Sequence, residues 1–250
     1  MSQPTMSQQT MHQQTTNSHS CSVNCWVVFA AAGVGARMEA DCPKQYLPLA
    51  GRTVIEHSLD AVLNHEAIRG GVVAIAETDD YWTELGYQHA KPLLRAVGGE
   101  ERCHSVLNAL YVLASMATVD DWVLVHDAAR PCVRHDDISR LIEQCQTHPV
   151  GGILATPIKD TIKQSGAGRF ITRTIDRGSL WHAQTPQMFR LGMLHHALGL
   201  ALSDKVLITD EASALEHMGQ EPLLVEGHAD NLKITRPEDL ALAEFYFSQR

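Results

Sequence analysis

From residue 25 to about residue 156, short apolar runs alternate with stretches of helical periodicity, and few architectures accommodate that rhythm. The runs Cys25 to Ala31, Gly71 to Ala76, Leu93 to Val97, Trp122 to His126 and Gly152 to Thr156 read as strands. Between them, Thr53 to His65 gathers Val54, Leu59, Val62 and Leu63 on one side, with Thr53 and Glu56 spaced as a capping box. Arg102 to Met116 and Asp136 to Gln146 repeat the pattern with Val106, Leu110 and Leu113 and with Ile138, Leu141 and Ile142. Strand and helix in alternation predict βαβ units in an α/β protein with a mostly parallel sheet. The 250 residues suffice for one large domain of this kind, and no internal repeat or linker divides them. A single domain over residues 23–250 is therefore expected.

The pattern changes after Pro157. Ile158, Thr161-Ile162, Phe170-Ile171 and Thr174-Ile175 flank Ser165-Gly166-Ala167-Gly168, which predicts a β-hairpin arm over about residues 157–178. No helix nearby in the chain is available to cover its apolar face, so the parent domain or a second subunit must do so; a second subunit is the favoured reading. Helices then follow at Gly192 to Ala201, Asp210 to His217 and Pro237 to Phe247, with a strand at Leu223 to Glu226.

Composition narrows the class of partner. A net charge of -9 argues against a protein that coats nucleic acid, and no apolar run is long enough to cross a bilayer. Six scattered cysteines, without the paired spacings of a zinc site and without a secretory signal, are expected as free thiols in the cytoplasm. Residues 1–22, rich in Gln, Ser and Thr, are expected to be disordered.

Within this frame the segment after the first strand carries the first chemical signal: Ala30-Ala31-Ala32-Gly33-Val34-Gly35-Ala36-Arg37-Met38, then Pro43-Lys44-Gln45-Tyr46. Gly33 and Gly35 let backbone N–H groups converge on phosphate oxygens, and Arg37 and Lys44 add full positive charge. Met38 breaks the dinucleotide fingerprint, and Pro43 with Gln45 breaks the P-loop pattern. Taken alone, the loop is also compatible with a plain chain reversal.

Asp127, in His126-Asp127-Ala128-Ala129-Arg130-Pro131, should project from the same sheet edge as a hard oxygen ligand suited to Mg²⁺, or else pair with Arg130 in a turn. Gly98-Gly99-Glu100-Glu101-Arg102 allows close approach of backbone to a flat base, with Ser105 in the first helical turn. Asp210 and Glu211, after Thr209, read as a helix cap with an acidic first turn.

The ordered set AAGxGxRM, PKQY, GGEER, HDAARP, IKDT, TxDR, WHAQTPQ, TDEASALE and ADNLKITRPED resembles the 2-C-methyl-D-erythritol 4-phosphate cytidylyltransferases of the non-mevalonate isoprenoid pathway, from about Val27 to Phe247. The resemblance implies a Rossmann-like three-layer nucleotidyltransferase domain that dimerises by arm exchange and uses CTP, methylerythritol phosphate and Mg²⁺. It also implies that Arg37 and Lys44 stabilise the transition state, that Asp127 binds the metal, and that Ala31, Ala32, Gly33, Gly35, Gly99, Glu100, Ser105 and Ala128 frame the CTP. Arg177 and Thr161 of a neighbouring arm, with Lys233, would position the acceptor, and Arg130, Thr185, Thr209 and Asp230 would line its side. Glu100 and Ala36 stand where the family commonly has Asp and can have Arg. Rival readings are a cytidylyltransferase for another polyol phosphate such as ribitol 5-phosphate, a sugar-1-phosphate nucleotidyltransferase, and a non-catalytic nucleotide sensor.

Overall fold

The computed structural model describes residues 23–33 and 42–249. The expected tail over residues 1–22 lies outside them, as do Gly35 and Arg37. In chain order the elements are β1 (Cys25–Ala30), a 3₁₀ turn (Lys44–Tyr46), β2 (Pro48–Leu49), β3 (Arg52–Thr53), α1 (Val54–Leu63), β4 (Ile68–Ile75), α2 (Asp80–Leu85), β5 (Leu93–Val97), α3 (Arg102–Leu113), β6 (Trp122–Asp127), α4 (His135–Cys145) and β7 (Gly151–Pro157). Then come β8 (Ile162–Ser165), β9 (Ile171–Ile175), β10 (Trp181–Arg190), α5 (Leu191–Ser203), α6 (Glu211–His217), β11 (Leu223–Glu226) and α7 (Pro237–Ser248).

Seven strands form the central sheet in the order β11-β7-β10-β6-β1-β4-β5, and only β10 runs against its neighbours. Alternate residues of each central strand feed two cores. Val27 and Phe29 of β1 and Leu124 of β6 pack with α1 and α4 through Ile55, Leu59, Ile138 and Leu141. Val28, Val123 and Val125 face the opposite layer, with Val106 and Leu110 of α3, Leu194 and Leu198 of α5 and Leu215 of α6. This is the expected three-layer arrangement, with β-branched residues on the strands and Leu on the helices. The capping box of α1 is present, Thr53 and Glu56 binding each other's backbone N–H groups.

The chain leaves β1 toward β4 and β5 on one side, then returns to place β6 on the other. The order of strands therefore reverses between β1 and β6, and ligands in open α/β sheets bind beyond the carboxyl ends of strands at such a switch point. Ala30 and Asp127, the last residues of those two strands, lie opposite each other in register.

The hairpin is present: β8 pairs antiparallel with β9, Ile162 opposite Ile175, in a sheet of their own. Two elements differ from the sequence reading. In sequence, β10 looks like a mere return path, because its polar residues Gln184, Thr185 and Gln187 mask a strand pattern, yet all three are buried. The short α2, capped by Asp79 at its start and Gly86 in left-handed conformation at its end, buries no residue and so carries no apolar stripe to detect. Among the described residues five cysteines are free, as expected, and no helix is long and apolar enough to cross a membrane.

Candidate active site

Two cavities meet at the carboxyl ends of β1 and β6. The first, of about 170 Å³, lies between the segment after β1 (Ala31, Ala32, Gly33), the loop after β5 (Gly99, Glu100, Glu101), Lys44 and Gln45, and the residues Asp127, Ala128 and Ala129. Its walls come together closely. A Cβ on Gly98 would stand 2.3 Å from the Ala32 side chain, and one on Gly99 would stand 2.3 Å from that of His104, so only glycine fits at either place. Ser105 Oγ accepts the Gly99 N–H at 3.0 Å and donates to Glu101 O at 3.1 Å, tying the loop to the first turn of α3. Gln45 donates to Ala31 O at 2.8 Å, and Lys44 Nζ donates to Ile234 O at 2.9 Å, which brings the PKQY segment and the late LKIT segment to one place.

The second cavity, of about 260 Å³, is bordered by Arg130, Ala183, Gln184, Thr185, Gln187, Thr209 and Asp210. Arg102, Asp127 and Lys233 line both cavities and form the partition between them. Asp127 accepts from Arg102 Nε at 3.0 Å on Oδ1 and faces Lys233 Nζ at 2.8 Å on Oδ2, with Arg130 Nε 3.6 Å from Oδ2. Burial opposes the charge of Asp127, but Arg102, Lys233 and Arg130 outweigh it and hold the carboxyl below the usual carboxylate range. Burial likewise opposes the charge of Arg102, and Glu211 and Asp127 overcome it to hold the guanidinium protonated. Removing one partner of a buried pair of this kind typically costs about 3–5 kcal/mol.

Behind the partition, His126 is fully buried and neutral. Burial lowers its pKa to about 4. Its Nε2 lies 3.0 Å from Arg130 O and must carry the proton, so Nδ1, 3.0 Å from Thr185 Oγ1, accepts. Thr185 Oγ1 in turn accepts the Asp127 N–H at 3.1 Å, which fixes the carboxylate's backbone. Thr185 thus orders the Asp127 backbone as well as lining the second cavity.

Of the residues expected in the site, the structure brings together Ala31, Ala32, Gly33, Lys44, Gly99, Glu100, Ser105, Asp127, Ala128 and Lys233 around the first cavity. Arg130, Thr185 and Thr209 stand around the second. Gly35 and Arg37 lie outside the described residues. Asp230 is not brought to either cavity: Arg134 draws its Oδ2 at 2.9 and 2.5 Å into a separate groove that also contains His57. Thr161 and Arg177 line neither cavity, and Arg177 donates to Lys159 O at the base of the arm. The Asp127–Arg130 pair weighed from sequence is present alongside the two stronger contacts.

Four participants escape the sequence reading. Arg102 stands there only as part of GGEER and Glu211 only as a helix-start charge, whereas Glu211 is fully buried and holds Arg102 at 2.5 and 3.0 Å. Gln187 and Asn231 are buried as well, Asn231 donating to Thr185 O at 2.8 Å while its own carbonyl accepts from Arg130 at 2.7 Å. The one available signal is the position of Arg102 in the first turn of a helix directly after the paired glycines.

A doubly wound sheet whose switch point opens into paired cavities, divided by one carboxylate and several fixed cations, defines a nucleotidyltransferase-like α/β protein. The chain belongs to the 2-C-methyl-D-erythritol 4-phosphate cytidylyltransferase family, whose model matches residues 25–249. It is 57% identical over 216 residues to the 2-C-methyl-D-erythritol 4-phosphate cytidylyltransferase of Pseudomonas aeruginosa, covering 86% of this chain and 92% of the relative. The Vibrio vulnificus protein of the same name is 54% identical over 222 residues, or 89% and 94% of the two chains. The crystal structure of the Francisella tularensis 2-C-methyl-D-erythritol 4-phosphate cytidylyltransferase superposes with a TM-score of 0.78 at 40% identity, over 89% of this chain and 99% of that one.

Proposed function

We propose that this chain transfers the cytidylyl group of CTP to 2-C-methyl-D-erythritol 4-phosphate, giving 4-diphosphocytidyl-2-C-methyl-D-erythritol and pyrophosphate. Family membership supports the substrates. The observation that carries the mechanism is the shared partition, since a wall common to two cavities is what direct transfer between two bound substrates needs.

An oxygen of the acceptor phosphate attacks the α-phosphorus of CTP, the bond to the β-phosphate oxygen breaks on the opposite side, and pyrophosphate leaves. The attacking oxygen is already ionised, so no general base is required; the neutral, fully buried His126 is consistent with that. The obstacle is electrostatic, because two anions must approach while charge builds on phosphorus and leaving group. Lys44 and Arg37 stabilise that charge on the CTP side, and Lys233 and Arg130 hold the acceptor phosphate. Gly99, Glu100 and Ser105, with Ala31 to Gly33, receive the nucleoside.

Asp127 fits a Mg²⁺ site of the kind made by one carboxylate and substrate phosphates. Oδ1 is committed to Arg102, whereas Oδ2 is held by Lys233, whose side chain is 39% exposed and able to move onto a phosphate. Mg²⁺ held there with CTP would neutralise phosphate charge.

Two copies exchange arms in this reading, so that Arg177 and Thr161 of one serve the acceptor cavity of the other. It is supported by their absence from either cavity of their own chain and by the exposure of Phe170 (77%) and Ile171 (68%) on the arm.

Pyrophosphate release from CTP, measured in turn with methylerythritol phosphate, ribitol 5-phosphate and a sugar 1-phosphate, tests the assignment. Release is expected with the first alone; turnover with ribitol 5-phosphate but not methylerythritol phosphate overturns it.

A further inference from the structure

On the side of Asp127 away from Lys233, side chains from four elements hold one another in series. Gln187 of β10, 1% exposed, donates through Nε2 to Asp210 Oδ2 at 2.9 Å and accepts the Ala212 N–H on Oε1 at 3.0 Å. Those two bonds pin the first turn of α6, which opens with Glu211. Glu211 has no exposure and lines neither cavity. Its two oxygens accept from both terminal nitrogens of Arg102, at 2.5 and 3.0 Å, and the remaining Nε of Arg102 donates to Asp127 Oδ1.

This order of contacts assigns a use to a carboxylate that is costly to bury. Arg102 lines both cavities, and a free guanidinium fork there would turn onto phosphate oxygens, for which its geometry is suited. Glu211 takes one N–H from each terminal nitrogen and so fixes the plane and direction of the fork. With the fork so held, the Arg102 Nε–H fixes Oδ1 of Asp127, so that Oδ2 is the oxygen presented where the two cavities meet. We propose that the Glu211–Arg102 pair, seated by Gln187, is a positioning device for Asp127. It holds the carboxylate in the orientation that presents Oδ2 to a phosphate-bound divalent cation. The proposal rests on the reading of Asp127 as a metal ligand.

The test is the affinity of Mn²⁺, a paramagnetic probe for the divalent site, measured with CTP present and no acceptor, so that nothing turns over. Glu211→Gln, which keeps the shape and removes the charge, is expected to weaken Mn²⁺ by about 10- to 100-fold, as loss of a ligand's supporting partner does. Its kcat should fall by a similar factor while KM for CTP stays within about threefold. Arg102→Lys keeps the charge but cannot span two carboxylates, and is expected to show the same losses; it decides the matter if Glu211→Gln does not fold. A purely structural role would lower the melting temperature and leave Mn²⁺ affinity and kcat of the folded protein unmoved. Asp127→Asn separates the two levels. Loss of Mn²⁺ binding in Asp127→Asn without loss in the other two variants overturns the positioning role alone. Unchanged binding in Asp127→Asn overturns the metal reading and the proposal with it.

Discussion

The partition around Asp127 and the β8–β9 arm answer the same problem, how to place charged groups beside anionic substrates, in opposite ways. At the partition the two carboxylates are buried and every charge is paired within one chain: Asp127 and Glu211 are 5% and 0% exposed, and Arg102, Arg130 and Lys233 all reach a carboxylate or carbonyl. Among the described residues the arm is a sheet of two strands, carrying Phe170 and Ile171 in the open. An isolated pair of strands is marginal in water. The contrast teaches that the partition and the cavity walls beside it are assembled within a single chain, whereas the arm leaves its apolar side chains for something else to cover.

The comparison breaks most visibly at Lys44. Lys44→Ala should lower kcat by roughly 10²- to 10³-fold with a modest change in KM for CTP, the usual cost of one preorganised charge. Steady-state kinetics at saturating acceptor checks this, and a wild-type rate would remove Lys44 from the reaction. The next effect lies in stability. The folded state keeps His126 neutral down to about pH 4, while an unfolded histidine takes up a proton from about pH 6.5 downward. Stability is therefore fully present above the unfolded value and lost as pH falls, by about 3 kcal/mol on reaching pH 4. Urea unfolding at pH 7 and at pH 4.5 measures it, and His126→Gln should flatten the dependence. The smallest effect tests the arm. Arg177→Ala mixed in equal amounts with Lys44→Ala should regain about a quarter of wild-type activity, because half the dimers are mixed and each mixed dimer has one intact site. No recovery after verified subunit exchange would place Arg177 and Lys44 in the same chain's site.

Much of the fold is legible in the sequence because it rests on periodicity and on spacing. The strand at Leu93 to Val97 coincides with β5, and the strand at Leu223 to Glu226 coincides with β11. The glycine pair at residues 98–99 and the Ala30 to Gly33 segment can be assigned to one pocket because both directly follow a parallel strand. The features that escape depend on partners distant in sequence. Glu211 looks like any acidic residue in a first helical turn, and nothing local distinguishes it from Asp210, which does cap the helix. Only the fold brings it to Arg102, 109 positions away, and shields the pair from water. Asp230 illustrates the converse. Its neighbour Lys233 reaches the partition, but Asp230 itself turns to Arg134, a competitor that no motif announces.

Strand β10 has a consequence for how this family can vary. Its first residue, Trp181, closes the arm, and its middle residues Thr185 and Gln187 reach Asp127 and the start of α6. The register of β10 against β7 already shifts once between Ala183 and Gln187, and a further residue inserted there would carry Thr185 or Gln187 away from Asp127 and α6. The tip of the arm, at residues 166–169, has no such reading frame. Length changes should therefore accumulate at the tip and be purged a few residues farther on, so that an indel map of the gene would trace the boundary between scaffold and site.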